Sequence, residues 1–174
     1  MPQVTIIPYK KSKPKIDPSV FIASGCAIIG DVEIESYSSI WFNSVLRGDV
    51  NYIRVGSYTN IQDGSIIHVA SQSFPTIIGN HVTIGHQAVV HACTVEDHTL
   101  IGMGAKILDG AKIGSESLVA AGSLVPPGAV YPAKSLIMGS PAKVKRTLSS
   151  EELEKIHKSA LHYAELAKDY FEFC

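Results

Sequence analysis

Cysteine is scarce in this 174-residue chain: three residues, Cys26, Cys93 and Cys174, and no Cys-x-x-Cys pair. An odd, scattered set argues against a disulfide framework or a thiolate zinc site. No run of 18 apolar residues occurs, so no membrane-spanning helix is expected. Neither sign of charge dominates; the formal net charge is −1. That gives no reason to expect nucleic acid or an anionic membrane as a partner. The one basic cluster, Lys10, Lys11, Lys13 and Lys15, is diluted by Pro8 and Pro14 and reads as a solvated arm. The opening Met-Pro-Gln-Val-Thr-Ile-Ile-Pro is too short and broken for a signal peptide, so a cytoplasmic protein is expected.

What the chain has is a six-residue period. Ile16, Ile22, Ile28, Ile34, Ile40 and Leu46 follow it, as do Val95, Ile101, Ile107, Ile113, Val119 and Val125. Val55, Ile61 and Ile67, then Ile78, Ile84 and Val90, continue it between them. Two positions before these aliphatics stand small or β-branched residues: Val20, Cys26, Val32, Ser38 and Ser44, then Cys93, Thr99, Ala105, Ala111, Ser117 and Ser123. Alternate residues of an extended segment point the same way, so each rung turns one large and one small side chain inward. Cys26 and Cys93 are thereby explained as packing. A short strand plus a tight turn, three times per coil of about 18 residues, makes a triangular solenoid. The expected fold is a left-handed parallel β-helix, with residues 1–146 forming its domain and regular coils over about 16–130.

The ladder slips where residues are inserted, giving expected loops around Arg47 to Asn51 and around Ala70 to Pro75. After Pro126 and Pro127 the period decays, and Pro132 and Pro141 predict an irregular connection. Ser149 and Glu152 form a capping-box signature. Leu153, Ile156, Ala160, Tyr163, Ala164, Ala167 and Phe171 then recur at helical spacing. Residues 147–174 are thus expected as an amphipathic helix packed along the prism within the same domain.

Counting coils stacks the polar residues. Arg47, His68 and His91 each follow a rung aliphatic, at separations equal to one coil plus the inserted residues. They should form one column on one face, with neighbours about 4.8 Å apart. Asp63 and His86 stack on the preceding face, with Gln62 beneath Gly85. His68 and His91 can therefore share a metal, but His86 lies on the wrong face for them. A cyclic homotrimer repairs this, because one face of each prism meets a different face of its neighbour. The inferred ligands are His68 and His91 of one chain and His86 of the next. Three imidazoles with an open fourth position suit catalytic zinc, which lowers the pKa of bound water to about 7. Gln62 would orient that water. Arg47 and Asp63 supply charge nearby, as catalytic groups or as an interface ion pair, and Asp49 would pair with an arginine across the interface. His81, His98, His157 and His162 read as ordinary surface or core residues, and Tyr163 as facing the core.

These residues resemble the γ-class carbonic anhydrase family. The matching stretches are Val45-Leu46-Arg47-Gly48-Asp49, Asn60-Ile61-Gln62-Asp63, Ile67-His68, Thr83-Ile84-Gly85-His86 and Val90-His91, with Gly139-Ser140-Pro141-Ala142-Lys143-Val144 before the helix. The resemblance covers about residues 10 to 170. It implies a zinc-dependent lyase that reversibly hydrates carbon dioxide to bicarbonate, with His68, His86 and His91 as ligands. Gln62 and Asn60 would lie in the water and substrate pocket, and Arg47 with Asp63 or Asp49 in interface ion pairs. Iron or cobalt replaces zinc in some members. The glutamates that shuttle protons in the most active members have no counterpart: Val50 follows Asp49, and residues 70–75 carry no acid. Slow turnover is the corollary. Two other functions fit a hexapeptide solenoid. A hexapeptide acyltransferase needs a histidine base and a cleft for a thiol donor. A metal-binding or assembly protein needs the ion without turnover.

Overall fold

The architecture is that of a computed structural model describing residues 3–173. It is a parallel β-solenoid of three flat faces, closed at its C-terminal end by a hairpin and flanked by one helix. The register follows the six-residue count. Ile28 stacks on Leu46, Leu46 on Ile67, Ile67 on Val90 and Val90 on Ile107 along one face. On a second face Ile40, Ile61, Ile84, Ile101 and Val119 stack in turn. Ile34, Val55, Ile78, Val95 and Ile113 occupy the third.

Every one of those stacked aliphatics is buried, and so are Cys26, Val32, Cys93, Ala105 and Ala111 in the small-residue column. Burying an isoleucine contributes roughly 1.5–3 kcal/mol, so the ladder is the main source of stability. The polar members of the small column have a separate task. At the corners the inter-coil ladder breaks, and backbone carbonyls need donors. Ser38 Oγ donates to the Gly56 carbonyl (2.7 Å), Ser44 Oγ to Gln62 (2.9 Å) and Ser65 Oγ to Gly85 (3.0 Å).

The two insertions behave differently from one another. Residues around Arg47 to Asn51, expected as a loop, lie inside a continuous strand, Val45–Val55. The strand below it, Ala27–Ile34, runs alongside, and their register shifts between Gly30 and Val32. The extra residues are thus absorbed as a bulge between paired strands rather than thrown out. The expected loop at Ala70 to Pro75 is present.

The irregular connection expected after Pro127 is also ordered more than the prolines suggest. Val130–Tyr131 adds one more rung, and Ile137 stacks on Val119. Ser135–Gly139 then pairs antiparallel with Ala142–Thr147, capping the open end of the sheet. At the other end Thr5–Ile7 pairs in parallel with Ala27–Ile34, so part of the N-terminal arm is a strand.

Helix α1, Ser150–Phe173, starts where its caps predict. Ser149 N–H donates to Glu152 Oε2 (2.8 Å) and Glu152 N–H to Ser149 Oγ (3.3 Å), a capping box. Ile156, Ala160 and Ala167 are buried against the face that carries Asn60 and Thr83, whereas Phe171 stays half exposed. Tyr170 takes the inward place instead: with Phe21, Phe42 and Tyr163 it encloses Trp41 at ring-centroid distances of 5.2–6.4 Å. No described helix is long and apolar enough to cross a membrane.

Candidate metal centre

Arg47, His68 and His91 form the expected column, paired residue to residue on adjacent strands. Asp63 and His86 stack at the neighbouring corner, where His86 Nδ1 lies 2.8 Å from Asp63 Oδ2. Among the described residues no single cluster of three or more His, Cys, Asp or Glu side chains converges within the chain. His68 and His91 stand on one face of the chain, and His86 stands at the neighbouring corner beside Asp63.

The ring nitrogens of the pair are all engaged. His68 Nδ1 lies 3.0 Å from His91 Nε2. The remaining nitrogens face carboxylates: His68 Nε2 is 3.1 Å from Asp49 Oδ1, and His91 Nδ1 is 2.6 Å from Asp109 Oδ1. An ionised carboxylate only accepts, so each asks for an N–H from its histidine, and a neutral imidazole has one to give. Both facing nitrogens are then left with lone pairs directed at each other. That contact repels unless a cation lies between them. In a tetrahedral zinc site, with Zn–N near 2.0–2.1 Å, two ligand nitrogens lie about 3.3 Å apart. The pair fits one edge of such a site.

Electrostatics favour the same arrangement. Burial, helped by the neighbouring Arg47 charge, outweighs Asp49 and holds His68 below the usual imidazole range. The ring is thus neutral and its lone pair available. Burial opposes ionisation of Asp49, but hydrogen bonds and charges from His68 and Arg47 overcome it and hold the carboxyl low. Arg47 forms its ion pair with Asp49 of its own chain.

Gln62 and Asn60 are buried together beside this corner. Gln62 Nε2 donates to Asn60 Oδ1 (3.1 Å), and Asn60 Nδ2 donates to Thr83 Oγ1 (3.0 Å). Asn60 is fully enclosed, so it acts on any ligand through Gln62. With its nitrogen engaged, the Gln62 amide keeps its carbonyl half for a ligand. A groove of about 400 Å³ opens here, lined by Gln62, His86, Met103, Leu118, Ser159 and Tyr163. It exists because Gly85, Gly102 and Ala120 follow Gln62 up the column and fill little space.

Four other histidines lie apart from this pair. His81 and His98 stack nearly parallel at 4.8 Å, continuing a ring ladder from Tyr37 and Tyr58. Rings stacked face to face do not converge on an ion, so this is packing. His157 of α1 adds to its end, and His162 sits edge-on to Tyr163.

Two residues that serve the pair escaped the sequence reading. Thr76, buried where the chain returns from the 70–75 loop, donates from Oγ1 to the His68 carbonyl and accepts from Ala92 N–H (2.9 Å). Asp109 is the second. Val90 stacks on Ile107, so Asp109 stands one position beyond the coil-mate of His91, at the corner, and that offset was the signal that could have found it.

Known proteins resemble this chain. The family model for bacterial transferase hexapeptide (six repeats) matches residues 92–127. A carbonic anhydrase of Geobacillus kaustophilus is 47% identical over 165 residues, 95% of this chain and 90% of that one. This chain belongs to the γ-class carbonic anhydrase family. Gamma carbonic anhydrase 1, a mitochondrial protein of Arabidopsis thaliana, is 49% identical over 160 residues, 89% of this chain. The chain spans 58% of the length of that plant relative. Among solved structures, a hexapeptide transferase family protein from Anaplasma phagocytophilum superposes with a TM-score of 0.91 at 42% identity, covering 95% of this chain and 98% of that one.

Proposed function

We propose that the chain assembles as a cyclic homotrimer that binds a zinc ion at each subunit interface and reversibly hydrates carbon dioxide to bicarbonate. His68 and His91 of one chain and His86 of the next hold the ion, and iron or cobalt can take its place. The observation that carries this reading is the His68–His91 contact at 3.0 Å, with carboxylates on both outer nitrogens. His86 supports it: Asp63 occupies Nδ1, and Nε2 has no partner among the described residues. The exposed apolar Val50, Ile66 and Phe74 near the pair also support it, since clustered exposed hydrophobics favour a covering neighbour. So do the relatives named carbonic anhydrase.

The bound ion supplies Lewis acidity that brings the pKa of water to about 7, so that hydroxide is available at neutral pH. The chain's own residues do the rest. Gln62, its nitrogen fixed by Asn60, accepts a hydrogen bond from the attacking water through Oε1 and sets the line of approach. The apolar wall of the groove admits the uncharged substrate. The water oxygen bonds to the carbon, one proton leaves to solvent, and bicarbonate results. Arg47 and Asp49 steady His68 and hold the register of the interface. With Val50 and the 70–75 loop offering no acid beside the site, proton export falls to solvent and limits turnover.

Stopped-flow carbon dioxide hydration on protein of measured metal content tests this. Hydration proportional to zinc, in a trimer, is the expected result. A metal-loaded protein with no hydration at any pH supports a binding or assembly role instead. The groove beside His86 is the feature an acyltransferase would use, and saturable binding of acetyl coenzyme A there would favour that reading.

A further inference from the structure

We infer that Asp109 is a positioning residue for the metal ligand His91: its carboxylate fixes the imidazole in the Nδ1–H form, so that Nε2 presents its lone pair to His68 and to an ion between them. The inference rests on the split-site reading above. It starts from one contact, His91 Nδ1 donating to Asp109 Oδ1 at 2.6 Å. Without that acceptor, the remaining contact of the ring, to His68 Nδ1, favours the other neutral form. The Nε2–H form would instead donate to His68 Nδ1 and remove the lone pair that an ion requires.

Asp109 is placed for this by backbone rather than by its own side chain. Its carbonyl accepts from Gly128 N–H (2.8 Å), and Gly110 N–H donates to the Ala92 carbonyl (2.7 Å), which ties the corner to the residue after His91. Gly110 adopts φ +70°, and a Cβ there would lie 3.1 Å from the Phe74 ring. The inserted loop therefore closes over the same corner. Ordered backbone with an exposed carboxylate, 42% accessible, leaves the Asp109 side chain with one strong contact, to His91. A hydrogen bond from the outer nitrogen of a ligand histidine to a carboxylate orients the ring and raises its basicity, and losing it costs roughly 10–100-fold in metal affinity.

The test uses the full chain with ¹⁵N-labelled histidine. Two-bond nitrogen–proton spectra of metal-free protein give the form of each ring, and His91 is assigned by its loss in His91→Asn. Zinc affinity is read by competition with a chromophoric chelator. In the wild type His91 should show the Nδ1–H pattern. In Asp109→Ala that pattern should give way to the Nε2–H or averaged one, and zinc affinity should fall by roughly 10–100-fold. Asp109→Asn keeps an accepting oxygen, so it should keep the Nδ1–H pattern and lose less affinity. Asp109→Ala with an unchanged pattern and affinity within about twofold overturns the inference. If Asp109→Ala loses its cooperative melt, Asp109→Leu, which fills the volume without an acceptor, decides: the wild-type ring pattern and affinity in that variant overturn the inference, and loss of the Nδ1–H pattern with a several-fold loss of affinity supports it. A wild type that binds no zinc sinks the split-site reading, while the ring pattern still judges Asp109. A wild type that binds zinc with an indifferent Asp109→Ala sinks Asp109 alone.

Discussion

His68 Nδ1 and His91 Nε2 lie 3.0 Å apart on adjacent coils, each ring anchored at its other nitrogen by an aspartate. The solenoid makes this possible by stacking residues one coil apart at a fixed spacing. It also limits what one chain can do, because residues on different faces never converge. The consequences can be measured.

Gln62 should matter to rate more than to metal. Its nitrogen is committed to Asn60, which turns the amide into a fixed acceptor beside the groove. Gln62→Ala should retain zinc by elemental analysis while kcat/KM for carbon dioxide falls by about 10²-fold, the cost of a misplaced reactant. Asn60→Ala should cost in both rate and stability, because Thr83 and Gln62 lose their buried partner.

Ile101 is fully buried, between Ile84 and Val119 in its column. Ile101→Ala should destabilise the fold by about 2–5 kcal/mol, since the coils above and below cannot collapse into the space. Denaturant melts monitored by circular dichroism check the value. Surface-facing Lys106 on an adjacent face should tolerate alanine within about 0.5 kcal/mol.

Acid should loosen α1. Glu152 bridges Arg146 and the helix N-terminus, and the Arg146 hydrogen bonds followed by that from Ser149 N–H hold its carboxyl down at about 2. A depressed folded-state pKa means that the stabilisation is complete above the ordinary value of 4.5 and is lost as pH falls toward 2. Trp41, the single tryptophan, is buried under Tyr163 and Tyr170 of α1 and reports the docking. Its emission should shift to the red across that window. Glu152→Gln should start from a weaker helix and show a smaller shift.

Much of this was legible in the chain, because a six-residue period fixes stacking without any knowledge of loops. Leu46, Ile67 and Val90 gave the register that aligned Arg47, His68 and His91. Ser149 and Glu152 placed the start of α1. Other features were not legible for physical reasons. The extra residues near Arg47 could bulge within a paired strand because Ala27–Ile34 lengthens beside them, a property of the pair. The prolines after residue 125 looked disruptive, yet they sit at corners between short rungs. Asp109 and Thr76 were overlooked because the count followed histidines and their immediate neighbours, whereas these two reach the pair from the next coil and from the loop's return.

Sharing of one ion by two chains is best tested by mixing. His86→Ala and His68→Ala chains, each pure, should assemble and hold little zinc. Trimers reassembled from both contain an interface where an intact His68–His91 pair of one chain meets an intact His86 of another. Zinc and carbon dioxide hydration should return in those mixed trimers and in neither parent. Mixed trimers that remain metal-free, or a pure His86→Ala trimer with full zinc content, would contradict the split site.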